Sequence, residues 1–282
     1  MKKVIVNADD FGFSLQANDA IIAAHQNGIL TSTSMVAVGS DELLRQSTET
    51  LMATPVLDYG VHLVLCSDPV YGNTKPLSRL SGLFTKTGGY FPMATLTTML
   101  LYSSKTCRAS LKDEIERQIG RILELGLQPS HINGHFYVAD IPAVFEMVVE
   151  LAEKYRIPAV RRPLEKPTPS CFFSADKLKK MAYFCLCAAV NNAKLKNSCL
   201  ACSERYFGAF DTAKLTKEKL KAILVRVKPG LTEILVHPSM VNSACINERE
   251  QYEALIAPDV IELARTLNLT LTSYRREVRR RN

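Results

Sequence analysis

Short apolar runs and longer amphipathic runs take turns along most of this chain, and that alternation is what most narrows its possible folds. "KVIVNA" (3–8) is dense in Val and Ile, as a strand buried on both faces should be. "LQANDAIIAAHQNG" (15–28) has apolar residues at helical spacing, with Ser14 placed to cap its start and Gly28 to end it. Strand-like "STSMVAVG" (32–39) and "YGVHLVL" (59–65) follow, then the amphipathic "LKDEIERQIGRILELG" (111–126). "PSHINGH" (129–135) reads as strand plus loop, and "IPAVFEMVVELAEKY" (141–155) as a helix with Pro142 in its first turn. "IPAVRRP" (157–163), "TEILVHPS" (232–239) and "NLTLTSY" (268–274) read as later strands. The pattern predicts an α/β fold with a parallel sheet. A length of 282 residues suits a single barrel-type domain.

No internal boundary stands out, so residues 1–282 are expected to form one domain. Residues 66–110 are rich in Ser, Thr, Gly and Pro and read as a lid, with "SGLFTKTGGYFP" (81–92) as a hairpin. Residues 165–215 read as a helical insertion. With 47% hydrophobic and 22% charged residues, the composition is that of a globular protein with a large core. The net charge of +7 is concentrated in the tail "YRREVRRRN" (274–282), expected to be a solvated terminus. No basic patch interleaved with aromatics points to nucleic acid. No apolar run approaches the ~20 residues of a membrane span. Met1-Lys2-Lys3 leads directly into a strand rather than a signal peptide, so a cytoplasmic, reducing setting is expected for the eight cysteines.

The polar residues are placed unusually. Asp9 and Asp10 close the first strand in "VIVNADDFG" (4–12), and two adjacent carboxylates imply a cation between them or beside them. His62 lies in the third strand-like run, His131 and His135 flank another, and His237 ends a late one. The fifth histidine, His25, falls within a helix. Carboxyl ends of parallel strands open on one crevice, so these residues are expected to meet. Imidazole with carboxylate is the ligand mix of zinc and other divalent first-row ions. One Asp with two His leaves coordination positions open, the catalytic pattern. The second Asp is then free to act as base and a further His as acid.

With "NADDFG" (7–12), "NGILTSTSMV" (27–36), "GVHLVL" (60–65), "SHINGH" (130–135) and "VHPS" (236–239) in this order, the chain resembles the YdjC-type carbohydrate deacetylase family. The resemblance implies a distorted (β/α) barrel with mostly parallel strands, similar in logic to NodB-type deacetylases. It also implies one divalent metal ion, Mg or Zn, and removal of N-acetyl groups from amino sugars. Position by position it makes Asp10, His62 and His135 the metal ligands, Asp9 the base and His237 the acid; adjacent carboxylates can exchange these two roles. Arg161 matches a basic position that faces substrate, with a surface salt bridge as its alternative. Where relatives carry several histidines after the one matching His135, this chain has "HFYVAD", placing Phe136 as a stacking surface for a sugar or as core. The long middle and "ERYFGAF" (204–210) look most like the hopanoid-biosynthesis branch, which implies an N-acetylglucosaminyl lipid. The amphipathic "FPMATLTTMLLYSSK" (91–105) would then lie on a membrane or lipid tail, or else cover the barrel. Two other readings stand beside this one: a metal-dependent phosphohydrolase, which lacks a Gly-rich phosphate cradle here, and a non-catalytic sugar- or lipid-binding module.

Overall fold

The computed structural model describes residues 1–67, 75–78, 89–90, 92, 96, 105–166, 174–211, 214–243 and 246–279. Among these residues eight strands join one sheet: β1 (Lys2–Phe11), β2 (Ser32–Val36), β3 (Asp58–Leu63), β4 (His131–Gly134), β5 (Ala159–Val160), β6 (Arg205–Phe207), β7 (Gly230–Val236) and β8 (Leu269–Leu271). Their order is β5-β4-β3-β2-β1-β7-β6, with β8 beside the start of β1, and every pairing is parallel. Parallel neighbours need crossovers, and the amphipathic runs supply them. The described helices are α1 (Leu15–Asn27), α2 (Asp41–Met52), α3 (Lys105–Glu124), α4 (Pro142–Lys154), α5 (Ala175–Lys196), α6 (Lys217–Arg226), α7 (Glu248–Ile256), α8 (Pro258–Thr266) and α9 (Tyr274–Arg279). Ser14 caps α1 as expected, its Oγ accepting from the Ala17 N–H at 3.1 Å, and Pro142 opens α4.

The sheet curls into a distorted barrel. Ile5 of β1, Ala159 of β5 and Leu231 of β7 pack in one cluster, although β1 and β5 stand at opposite ends of a run of five strands. Ala201, ahead of β6, closes toward β5: its N–H donates to the Pro158 carbonyl and the Val160 N–H donates to its own carbonyl, both at 2.9 Å. Along β1 the side chains alternate as strand geometry requires. Val4, Val6 and Ala8 join the large cluster under the helices, while Ile5 belongs to the interior cluster.

The alternation ends where the chemistry begins. Strict period two would send Asp9 and Asp10 to opposite faces. Asp10 instead adopts a left-handed backbone, φ 69°, and the β1–β2 register slips between Ala8 and Phe11. This bulge brings both carboxylates to the same imidazole: Asp10 Oδ1 lies 3.1 Å from His62 Nε2 and Asp9 Oδ2 3.9 Å from His62 Nδ1.

Two sequence expectations are corrected. The tail is not merely solvated: α9 buries Tyr274 and Glu277, and Arg275 bonds Asp58 through its backbone N–H (2.9 Å) and Nε (3.1 Å). His131 is not at a carboxyl end; it opens β4, under the barrel, where its ring stacks on Tyr274 at 4.4 Å. The helical stretch expected within 165–215 is α5, in the crossover between β5 and β6. Most of the lid-like segment 66–110, the hairpin at 81–92 and the amphipathic 91–105 lie outside the described residues. No helix among the described residues is long and apolar enough to cross a membrane.

Candidate active site

At the carboxyl ends of β1, β3 and β4, three buried side chains converge. One donor atom from each of Asp10, His62 and His135 lies within 4.8 Å of the others. Asp10 Oδ1 is 3.1 Å from His62 Nε2 and 3.2 Å from His135 Nδ1. The neighbours fix what these atoms present. Asn133 gives its amide N–H groups to Asp9 Oδ1 (3.1 Å) and Ser34 Oγ (2.9 Å), so its oxygen faces His62 Nδ1 at 2.6 Å. An amide oxygen only accepts, so His62 must carry its proton on Nδ1. Its Nε2 then points a lone pair at a carboxylate oxygen. Two acceptors face one another at hydrogen-bond distance, an arrangement that a proton or a cation relieves. The donor set, its burial and the Asn133 support therefore fit a divalent cation.

Asp9 belongs to a different set of bonds. Its Oδ1 accepts from Arg161 Nη2 (2.7 Å), Asn7 Nδ2 (2.9 Å), Ser34 Oγ (3.0 Å) and Asn133 Nδ2. Its Oδ2 accepts from Arg161 Nη1 at 2.6 Å. Burial raises the Asp9 carboxyl, but the charge and hydrogen bonds of Arg161 oppose it and hold the group below the usual carboxylate range. Burial likewise raises Asp10, and His135 and His62 bring it well below that range in the state where protons bridge the imidazoles to the carboxylate, the alternative to a cation. The surface salt bridge given as the alternative for Arg161 is overturned by its burial. The residue is inside the barrel, forked on Asp9 and bonded through Nε to Glu233 Oε1 at 2.8 Å.

His237 follows β7, half-buried, its N–H donating to Gln251 Oε1 at 2.8 Å. Its Nδ1 is buried with no hydrogen-bond partner among the described residues. Burial lowers its pKa, and the fields of Asp10 and Asp9 offset this only in part. Phe136 directly follows His135, its ring 4.3 Å from the imidazole and 46% exposed. It and Tyr137 both have positive φ, 49° and 60°, which turns the chain sharply after the His135 donor. Phe13 approaches His135 edge-on at 5.5 Å.

Sequence reading missed Ser34, Asn133, Glu233 and Asn7. The legible signal was Glu233, a single carboxylate inside the apolar strand "TEILV".

These features define an α/β-barrel protein whose strand ends carry a site suited to one divalent cation. The chain belongs to the YdjC-like protein family, whose model matches residues 3–273. Similar proteins include a carbohydrate deacetylase of Thermoanaerobacter pseudethanolicus, 28% identical over 283 residues and covering 97% of this chain and 98% of that one. A carbohydrate deacetylase of Geobacillus stearothermophilus is 26% identical over 279 residues, covering 96% of each. A solved Enterococcus faecalis structure assigned to cellobiose-phosphate cleavage superposes with a TM-score of 0.76 at 21% identity, covering 98% of both chains, and shares the fold.

Proposed function

We propose that this protein is a cation-dependent hydrolase that removes the acetyl group from an N-acetylated amino sugar, free, in an oligosaccharide or carried on a lipid. The observation that carries the reading is the division of the acid pair: Asp10 sits with two imidazoles and Asp9 with a guanidinium. The near full-length similarity to carbohydrate deacetylases supports it. Asp10, His62 and His135 would hold the cation, whose Lewis acidity would serve the acetyl carbonyl and acidify water.

The chain's own residues divide the proton traffic. Asp9 Oδ1 is saturated by four donors, whereas Oδ2 carries one. Oδ2 is the atom that receives the proton of the attacking water. A carboxylate held this far below neutrality does not keep a proton and passes it on. His237 takes up on its uncommitted ring nitrogen the proton that Asp9 releases and delivers it to the departing amine, so the net transfer is from water to amine and both groups return to their starting state. Phe136 offers an apolar face beside the site on which a sugar ring stacks.

The test is acetate release from diacetylchitobiose and from an N-acetylglucosaminyl lipid. Acetate with an equal amount of free amine supports the reading. Absence of both from every acetylated amino sugar contradicts it.

A further inference from the structure

The bonds that hold Arg161 continue past it. Its Nε donates to Glu233 Oε1, and the other Glu233 oxygen, Oε2, accepts from the Tyr274 hydroxyl. The Tyr274 ring is in turn stacked on His131 at 4.4 Å and 24°, and Ser130 Oγ lies 3.0 Å from His131 Nδ1. Asp9, Arg161, Glu233, Tyr274 and His131 are each buried. The path runs from the carboxyl ends of the strands down to α9, which seals their amino ends. There Arg275 grips Asp58 at the start of β3 and Glu277 takes Lys3 at the start of β1 (2.6 Å).

Resting on the reading of Asp9 as base, we propose that Tyr274 of the C-terminal helix is a positioning residue for catalysis: through Glu233 it fixes Arg161, and through Arg161 the Asp9 carboxylate. Arg161 holds Asp9 with both terminal nitrogens, so the plane of the guanidinium sets the plane of the carboxylate. That plane is defined by its third bond, to Glu233. Glu233 has two oxygens; Arg161 takes one, and Tyr274 takes the other. Without the hydroxyl, a buried carboxylate oxygen loses its donor in a site water does not readily reach, and it turns to find another. Any turn of Glu233 is passed to the guanidinium. The path ends on Asp9, which meets the cation ligands only at the back of His62, through Asn133 and Ser34 on Nδ1; the atoms that face the cation, on Asp10, His62 Nε2 and His135, make no bond to it.

The test uses Tyr274→Phe, which keeps the ring and its stack on His131, with Glu233→Gln and the double variant. Tyr274→Phe is expected to lower kcat about tenfold, with KM and the affinity for Zn²⁺, titrated as the probe, within about twofold of wild type. The double variant is expected to be no slower than Glu233→Gln alone, because Tyr274 acts through Glu233. Unchanged kcat in Tyr274→Phe overturns the proposal. So do additive losses in the double variant, or a kcat loss accompanied by loss of Zn²⁺ affinity. If wild-type protein releases no acetate, the functional reading fails and the positioning claim is decided from crystal structures. A displaced Arg161–Asp9 fork in Tyr274→Phe then supports it, and an unmoved fork overturns it.

Discussion

Asp9 and Arg161, 152 residues apart in sequence, meet inside the barrel through two parallel bonds of 2.6 and 2.7 Å. The pair is fully enclosed, so each partner is the other's main compensation for lost water. Lysine carries the charge but not the planar fork. Arg161→Lys is expected to fold and to bind a divalent cation, since Asp10, His62 and His135 are untouched, but to lose at least about 100-fold in kcat. Activity within a few-fold of wild type would show that the fork does not orient the base.

Gly60 and His131 constrain each other across β3 and β4. A Cβ at Gly60 would fall 2.5 Å from the His131 carbonyl and 2.6 Å from two atoms of its ring. The ring is locked between this strand and Tyr274, so it has nowhere to move. Gly60→Ala is expected to cost roughly 2–3 kcal/mol, read as a lower denaturant midpoint with unchanged m-value. A wild-type midpoint would mean the strands spread without penalty.

Glu165 gives the fold a pH dependence. Burial pushes its carboxyl up to about 7 from an ordinary 4.5, against the pull of the Phe210 and Ala209 N–H groups that it accepts. The folded state therefore holds this proton more tightly than the unfolded chain. Its stabilising effect is complete below pH 4.5 and fades as pH rises through 7, a loss on the order of 3 kcal/mol. In Glu165→Gln, chemical denaturation between pH 5 and 8 should lose most of this downward slope. An identical slope in both proteins would place the titration elsewhere.

Glu114 of α3 anchors Leu77, Ser78 and Tyr90. It accepts from the N–H groups of Leu77 (3.2 Å) and Ser78 (2.6 Å) and from the Tyr90 hydroxyl (2.6 Å). Leu77 and Tyr90 pack on Val36, Val38 and Val64, and Phe13 joins the same small cluster. Glu114→Ala should speed amide exchange at Leu77 and Ser78 by at least about tenfold while leaving β1–β3 protected. Unchanged exchange at those two amides would exclude the anchor.

Much of this was legible from local pattern. The runs of β-branched residues located β1, β2, β3 and β7, and Ser14 and Pro142 marked helix starts. The acid pair and the two histidines were visible because strand ends in such folds converge. What stayed hidden depends on contacts far apart in sequence. The bulge at Asp10 follows from a register slip against β2, and no residue in "NADDFG" announces it. Arg161 had a surface salt bridge as its alternative because its two acid partners lie 152 and 72 positions away. Tyr274 read as part of a charged tail because its burial depends on His131, from another strand. The two adjacent aspartates were read as dividing the work of metal ligand and base; what the sequence did not show is that Arg161 forks on Asp9 while His135 sits on Asp10, with His62 beside both.

The most direct measurement is to strip divalent ions from the protein and follow acetate release from diacetylchitobiose as Zn²⁺ or Mg²⁺ is returned. Activity should vanish on stripping and recover in proportion to bound ion, levelling off at about one per chain. His135→Ala should fail to recover. Full activity in the stripped protein, or in His135→Ala, would contradict the assignment of Asp10, His62 and His135 as the holders of a required cation.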